Sequence, residues 1–138
     1  MKQFINLESG EIYFGNQEFI GLKSTFDQVK KMNGTIDHFF ENLEMGIQNL
    51  SFFDKEIEGN FYQISLHFSL RKLRMICVNF RDGQQLLETE LWQNLKQLKT
   101  NKHTKKGDVS KAKKFDWGKI QAFYTAKINF GQYHISYK

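Results

Sequence analysis

A chain of 138 residues, 40% hydrophobic and 15% aromatic, is long enough for one domain that buries about two-thirds of its unfolded surface. Charged residues make up 25% of it, no apolar run approaches the roughly 18 residues of a membrane span, and the opening MKQFINLESGEIYF lacks a signal peptide's apolar centre, so a soluble, cytoplasmic protein without membrane partners is expected. The net charge of +5 divides unevenly: residues 1–90 hold 9 Lys and Arg against 13 Asp and Glu, and residues 91–138 hold 11 against 2, which predicts an acidic region and a basic one.

With no proline, the turns fall to glycine, asparagine, aspartate and serine. After Ser9-Gly10, the runs Glu11–Phe14 and Phe19–Leu22, separated by Gly15-Asn16-Gln17, read as a small hairpin. Ser24 and Thr25 offer an N-cap to a short helix over Phe26–Met32, which Asn33-Gly34 would end. Ile36, Phe39, Phe40 and Leu43 fit one face of a barely two-turn helix, an ambiguous segment.

From Ile47 the period becomes two. In Phe61–Leu70, Tyr62, Ile64, Leu66, Phe68 and Leu70 take one face and Gln63, Ser65, His67 and Ser69 the other. Ile47–Ile57 before it and Leu73–Phe80 after it are joined by links too short for parallel crossovers, so the three predict an antiparallel meander. The third strand is apolar on both faces, with Leu73, Met75 and Cys77 opposite Ile76, Val78 and Phe80. A helix over Gln84–Lys99, with the stripe Leu87, Leu91, Leu95 and Leu98 beside Trp92, is the expected cover for that second face. Thr100–Lys114 reads as a basic loop. Phe115–Tyr124 and Ile128–Tyr137 then form a second antiparallel pair, with Gly131 as a candidate bulge. Neither an internal repeat nor a domain boundary interrupts residues 1–138. The expectation is a single α+β domain: a curved antiparallel sheet of five to seven strands with two or three helices packed on one face.

Three groups of residues carry candidate chemistry. Glu41, Glu44, Asp54, Glu56 and Glu58 form an acidic set whose last three alternate along one strand, a docking surface for a basic protein. Lys99, Lys102, Lys105, Lys106, Lys111, Lys113 and Lys114 form an alternative basic surface within Lys96–Lys114, suited to nucleic acid, though without arginine or interleaved aromatics to read or stack bases. His67 and His134 lie on the polar faces of two strands, and if those strands were neighbours they would make a small-ligand or acid–base patch. The four histidines show no metal spacing, and the single Cys77, in an apolar run without an adjacent base, reads as a small core residue. No catalytic, cofactor or metal signature is present.

Two stretches resemble a known kind of protein. Ile57-Glu58-Gly59-Asn60-Phe61, Leu66-His67-Phe68 and Lys72-Leu73-Arg74-Met75-Ile76 follow one pattern, and Phe115-Asp116-Trp117-Gly118-Lys119-Ile120 with Ile135-Ser136-Tyr137 another. Together they resemble small bacterial immunity proteins that accompany polymorphic or contact-dependent toxins. That resemblance implies an antiparallel sheet with a few helices and a non-enzymatic role, binding and neutralising a cognate toxin domain.

Overall fold

The computed structural model describes residues 5–15, 17–32, 36, 38–98 and 107–138. The predicted small hairpin is present as β1 (Ile12–Tyr13) and β2 (Phe19–Ile20). The first helix, α1 (Phe26–Lys30), opens on a capping box in which Thr25 Oγ1 accepts from the Gln28 N–H (3.1 Å) and Gln28 Oε1 accepts from the Thr25 N–H (3.0 Å). Its expected stop, Asn33-Gly34, lies outside the described residues.

Next come β3 (His38–Asn42), β4 (Ile47–Ile57), β5 (Asn60–Ser69) and β6 (Lys72–Phe80), which pair in chain order as an antiparallel meander. Two short helices, α2 (Gln84–Leu87) and α3 (Glu90–Asn94), lead to β7 (Lys96–Gln97), β8 (Asp108–Phe115), β9 (Gly118–Thr125), a 3₁₀ turn over Ala126–Ile128, and β10 (Phe130–Tyr137). Because β10 pairs with both β6 and β9, the strands form one antiparallel sheet of eight in the order β3-β4-β5-β6-β10-β9-β8-β7. The α+β class and antiparallel pairing are as the periodicities predict, whereas eight strands plus a separate pair exceed the five to seven expected.

The centre of one face of this sheet, the inner face, is dry. Leu50, Phe52, Ile64, Leu66, Ile76, Val78, Ile120, Tyr133 and Ile135 project from it into a single cluster. The N-terminal segment adds Ile5, Ile12, Phe14, Ile20, Phe26 and Val29, and the middle helices add Leu86, Leu91, Trp92 and Leu95. Phe14 meets Phe52 edge-on at 5.0 Å and Phe26 meets Phe68 at 5.7 Å, geometries that aromatic quadrupoles favour.

Six local expectations are corrected. Ile36–Leu43 does not form a helix over its length: residues 38–42 form strand β3, in which Phe39 turns inward to the Phe26 ring and Phe40 to the opposite face. The Gln84–Lys99 helix is broken at Glu88-Thr89, and Leu86 and Trp92 are buried where Leu87 was expected, while Leu98 is exposed. These helices cover the inner face rather than the second face of β6. A bulge opposite His67-Phe68 brings Leu73 round to the inner face and leaves Met75 and Cys77 outside. The predicted loop contains β8 from Asp108 onward, and Phe115–Tyr124 is split by the turn at Asp116-Trp117. Gly131 is no bulge, since β9 and β10 keep register through it; a side chain there would meet Gly83 O at 2.8 Å, so glycine permits α2 to lie directly on β10.

Thr89 explains the helix break. It is buried, donates Oγ1–H to Leu86 O (2.7 Å), accepts from the Trp92 N–H as N-cap of α3 (3.2 Å), and bonds the buried Tyr133 hydroxyl. Thr89→Val should therefore cost about 2–3 kcal/mol, combining a lost cap with disturbance of a buried hydroxyl pair. Urea unfolding measures it, and a loss below about 0.5 kcal/mol would mean that the contacts are dispensable.

Candidate functional site

The opposite, outer face of the sheet is not covered by any helix among the described residues. Strand alternation fills it with short polar side chains in rows that run across the strands. Antiparallel register sets Ser51 opposite Ser65, Ser65 opposite Cys77, Cys77 opposite His134 and His134 opposite Gln121. The adjoining rows run Asn49, His67, Met75, Ser136, Lys119 and Lys114, and Gln63, Asn79, Gln132, Phe123 and Ser110.

These groups hold one another. Ser51 and Ser65 hydroxyls lie 3.3 Å apart, and His67 Nδ1 is 3.1 Å from Asn49 Oδ1. Gln132 donates Nε2–H to Asn79 Oδ1 and its Oε1 accepts from His134 Nε2, while the Phe123 ring stands edge-on to His134 at 5.1 Å. Each imidazole therefore donates through one nitrogen to an amide oxygen, and in its neutral form the other nitrogen is an acceptor. The histidine strands are not direct neighbours, because β6 runs between them, yet the two rings are close enough to repel as cations.

Burial, reinforced at His67 by the charge of His134, holds both imidazoles below histidine's ordinary 6.5. On acidification the unfolded chain takes up these protons first, so their contribution to stability is complete above pH 6.5 and is lost as pH falls below it. Melting temperature should drop between neutral pH and about pH 5, and His67→Gln with His134→Gln should flatten that drop. An unchanged pH slope in the double variant would assign the drop to other groups. Cys77 is half-buried and its thiol is pushed up by burial, so it is held as a neutral thiol rather than a nucleophilic thiolate, although His134 lies opposite it.

The structure spreads the acidic set along one lateral half of the sheet. Glu41 is on β3, bonded by Gln48 Nε2 at 2.6 Å; Glu44 is in the β3–β4 turn; Asp54 and Glu56 are on β4; Glu58 is in the turn that follows. The three that were expected to alternate on one strand do not all do so, because a bulge lies between Phe52 and Lys55 and the strand ends at Ile57. Asp54 pairs with Arg81, whose guanidinium lies 4.4 Å over the Phe61 ring, an exposed cluster that stabilises little.

The basic set is divided. Lys99, Lys102, Lys105 and Lys106 lie outside the described residues. Lys111 faces inward, 4.4 Å over the Trp92 ring and donating Nζ–H to Trp92 O at 3.0 Å, and Lys113 lies 5.5 Å from the Phe115 ring on the same face. Lys114 is opposite Lys119 on the outer face. What the sequence reading missed is the row itself: Cys77, Asn79 and Gln121 gain their place only from the β6–β10–β9 pairing, for which no local pattern exists.

Among the described residues no three His, Cys, Asp or Glu side chains converge as metal ligands, and no helix is long and apolar enough to cross a membrane. Comparison with protein-family models, with curated proteins and with solved structures returns no match.

Proposed function

We propose that this chain is a non-enzymatic protein-binding module of the immunity type, which neutralises a cognate toxin domain by covering it with the outer face of the sheet and its acidic flank. The observation that carries this reading is the composition of that face. Its centre holds half-buried serines, amides, imidazoles and the ring of Phe123, with its charges toward the margins, and charge depleted at the centre is a feature that this face shares with protein interfaces. The lateral charge division supports a basic partner seated toward β3 and β4, since Glu44, Asp54, Glu56 and Glu58 gather there, with Glu41 on the inner side of the same margin, while Lys114 and Lys119 lie across the sheet.

Reversing Asp54, Glu56 and Glu58 together to lysine should slow association with a basic toxin domain encoded beside this chain by roughly tenfold or more at low salt, and remove most of the salt dependence. Stopped-flow association at two salt concentrations measures it, and rates that match the parent at both would move the docking surface elsewhere. Folding should change little, because the group is exposed. Sub-micromolar, length-dependent binding of RNA or duplex DNA by the parent at physiological salt would instead favour a nucleic-acid role centred on the lysines.

A further inference from the structure

The two edges of the eight-stranded sheet are built differently. At one edge the outermost strand, β7, is only two residues long, and the stretch of β8 that it leaves unpaired carries the exposed Lys113 and Lys114, charge that discourages a further strand. At the other edge β3 offers five residues in unbroken register with β4, and His38-Phe39-Phe40-Glu41-Asn42 contains no proline, lysine or bulge. Phe39 and Phe40, on opposite faces of this strand, are 47% and 46% exposed. Among the described residues no strand pairs with the free side of β3, and an open apolar edge invites another strand.

We propose that β3 pairs antiparallel with β3 of a second copy of this chain, in the register that sets Phe40 opposite Phe40 and joins the two sheets edge to edge. Continuity of the faces together with full overlap of the five residues selects this register. It places Phe39 opposite Glu41 and His38 opposite Asn42, inner against inner and outer against outer, and a slip of one residue would oppose inner and outer side chains.

Charge identifies the occupant as a like chain. On the inner face Lys30, in α1, holds its ammonium 4.8 Å over the Phe39 ring, and Glu41 occupies the same face two residues along. A two-fold axis through the Phe40 pair brings the Glu41 of each copy opposite the Phe39 of the other, beside the Lys30 that covers that ring. The same contact forms twice, as a self-complementary interface requires. On the outer face the two Phe40 rings face each other as a cross-strand aromatic pair.

Sedimentation velocity of the full chain across a concentration series should show a saturating species of twice the 16.4 kDa chain mass. Phe40→Asp opposes two carboxylates across the axis and should raise the dimer dissociation constant at least about tenfold. Lys30→Glu and Glu41→Lys should each weaken association, and the two combined should restore it, a recovery that a purely structural role for either residue would not produce. Independently of how those variants fold, Phe40→Cys in a Cys77→Ser background should form an intermolecular disulfide on mild oxidation, since directly opposed strand positions lie within the roughly 4.5–5.5 Å that a disulfide spans. A single-chain mass at every concentration, an open-ended series of oligomers, a dimer indifferent to Phe40→Asp, or a charge swap that folds without recovering association would each overturn the proposal.

Discussion

Gly118→Ala should destabilise the fold severely. Gly118 begins β9 directly opposite Tyr137, and a Cβ at this position would lie 1.9 Å from the carbonyl oxygen of Ser136. That oxygen is backbone held in the β9–β10 ladder, so no side-chain rotation relieves the contact; the ladder itself must open. Since β10 also carries the pairing to β6, opening it disconnects the two halves of the sheet. The expected loss exceeds about 4 kcal/mol, a large part of the 5–15 kcal/mol that holds a typical domain folded. Far-UV circular dichroism and urea unfolding decide it: a variant that melts within a few degrees of the parent would show that the strands separate at little cost.

Trp117→Ala should cost about 3–4 kcal/mol, with the damage concentrated at the N-terminal segment. The Trp117 indole stacks on Phe115 at 5.1 Å, donates Nε1–H to Leu7 O at 2.8 Å, and lies so close over Gly10 that a Cβ there would be 2.5 Å from the ring. Tyr137 reinforces the clamp by donating its hydroxyl to Gly10 O at 2.6 Å, and burial pushes its ionisation well above tyrosine's ordinary 10. Without the indole, residues 5–14 lose their cover and the hydrogen-bond donor to Leu7. Limited proteolysis should then cut this segment in the variant before the rest of the chain unfolds, whereas Trp117→Phe, which keeps the stack without the donor, should fall between. Equal protection of the segment in Trp117→Ala and in the parent would mean that the clamp does not hold it.

How much of this was legible depends on which contacts are local. The alternation in Phe61–Leu70 identified a strand and its buried face as far as Phe68, because one apolar residue in every two has few other solutions in water, whereas Leu70, expected on that face, is exposed in the turn beyond the strand. The N-cap at Thr25 was likewise readable from local sequence. The segment around Phe39 and Phe40 was not, since on an edge strand two adjacent phenylalanines turn to opposite faces and imitate a helical patch. In β8, lysine stems replace apolar residues on the inner face; Lys111 packs over Trp92, so the hydrophobic period vanished from the sequence. The outer face was half-visible. His67 with Ser65, and His134 with Ser136, showed polar alternation, but the β6–β10 pairing that unites them is a long-range event with residues 81–129 intervening.

That long-range pairing also governs the order in which the chain can assemble. Each half of the sheet is a run of hairpins that can close as soon as its own residues are available, the first from β3 to β6 and the second from β7 to β10. On a ribosome the first half emerges with β6 as an open rim, and its proper neighbour, β10, is made after every other described strand. During that interval the rim is a template for the wrong chain, and nascent copies on one message are the nearest candidates. The step that ends this exposure also places Tyr137 on Gly10, so the latest-made strand seals the sheet and locks the earliest-made described segment in one event. Protein quality control would therefore meet this molecule mainly as an unfinished sheet, in proportion to how slowly its final stretch is synthesised.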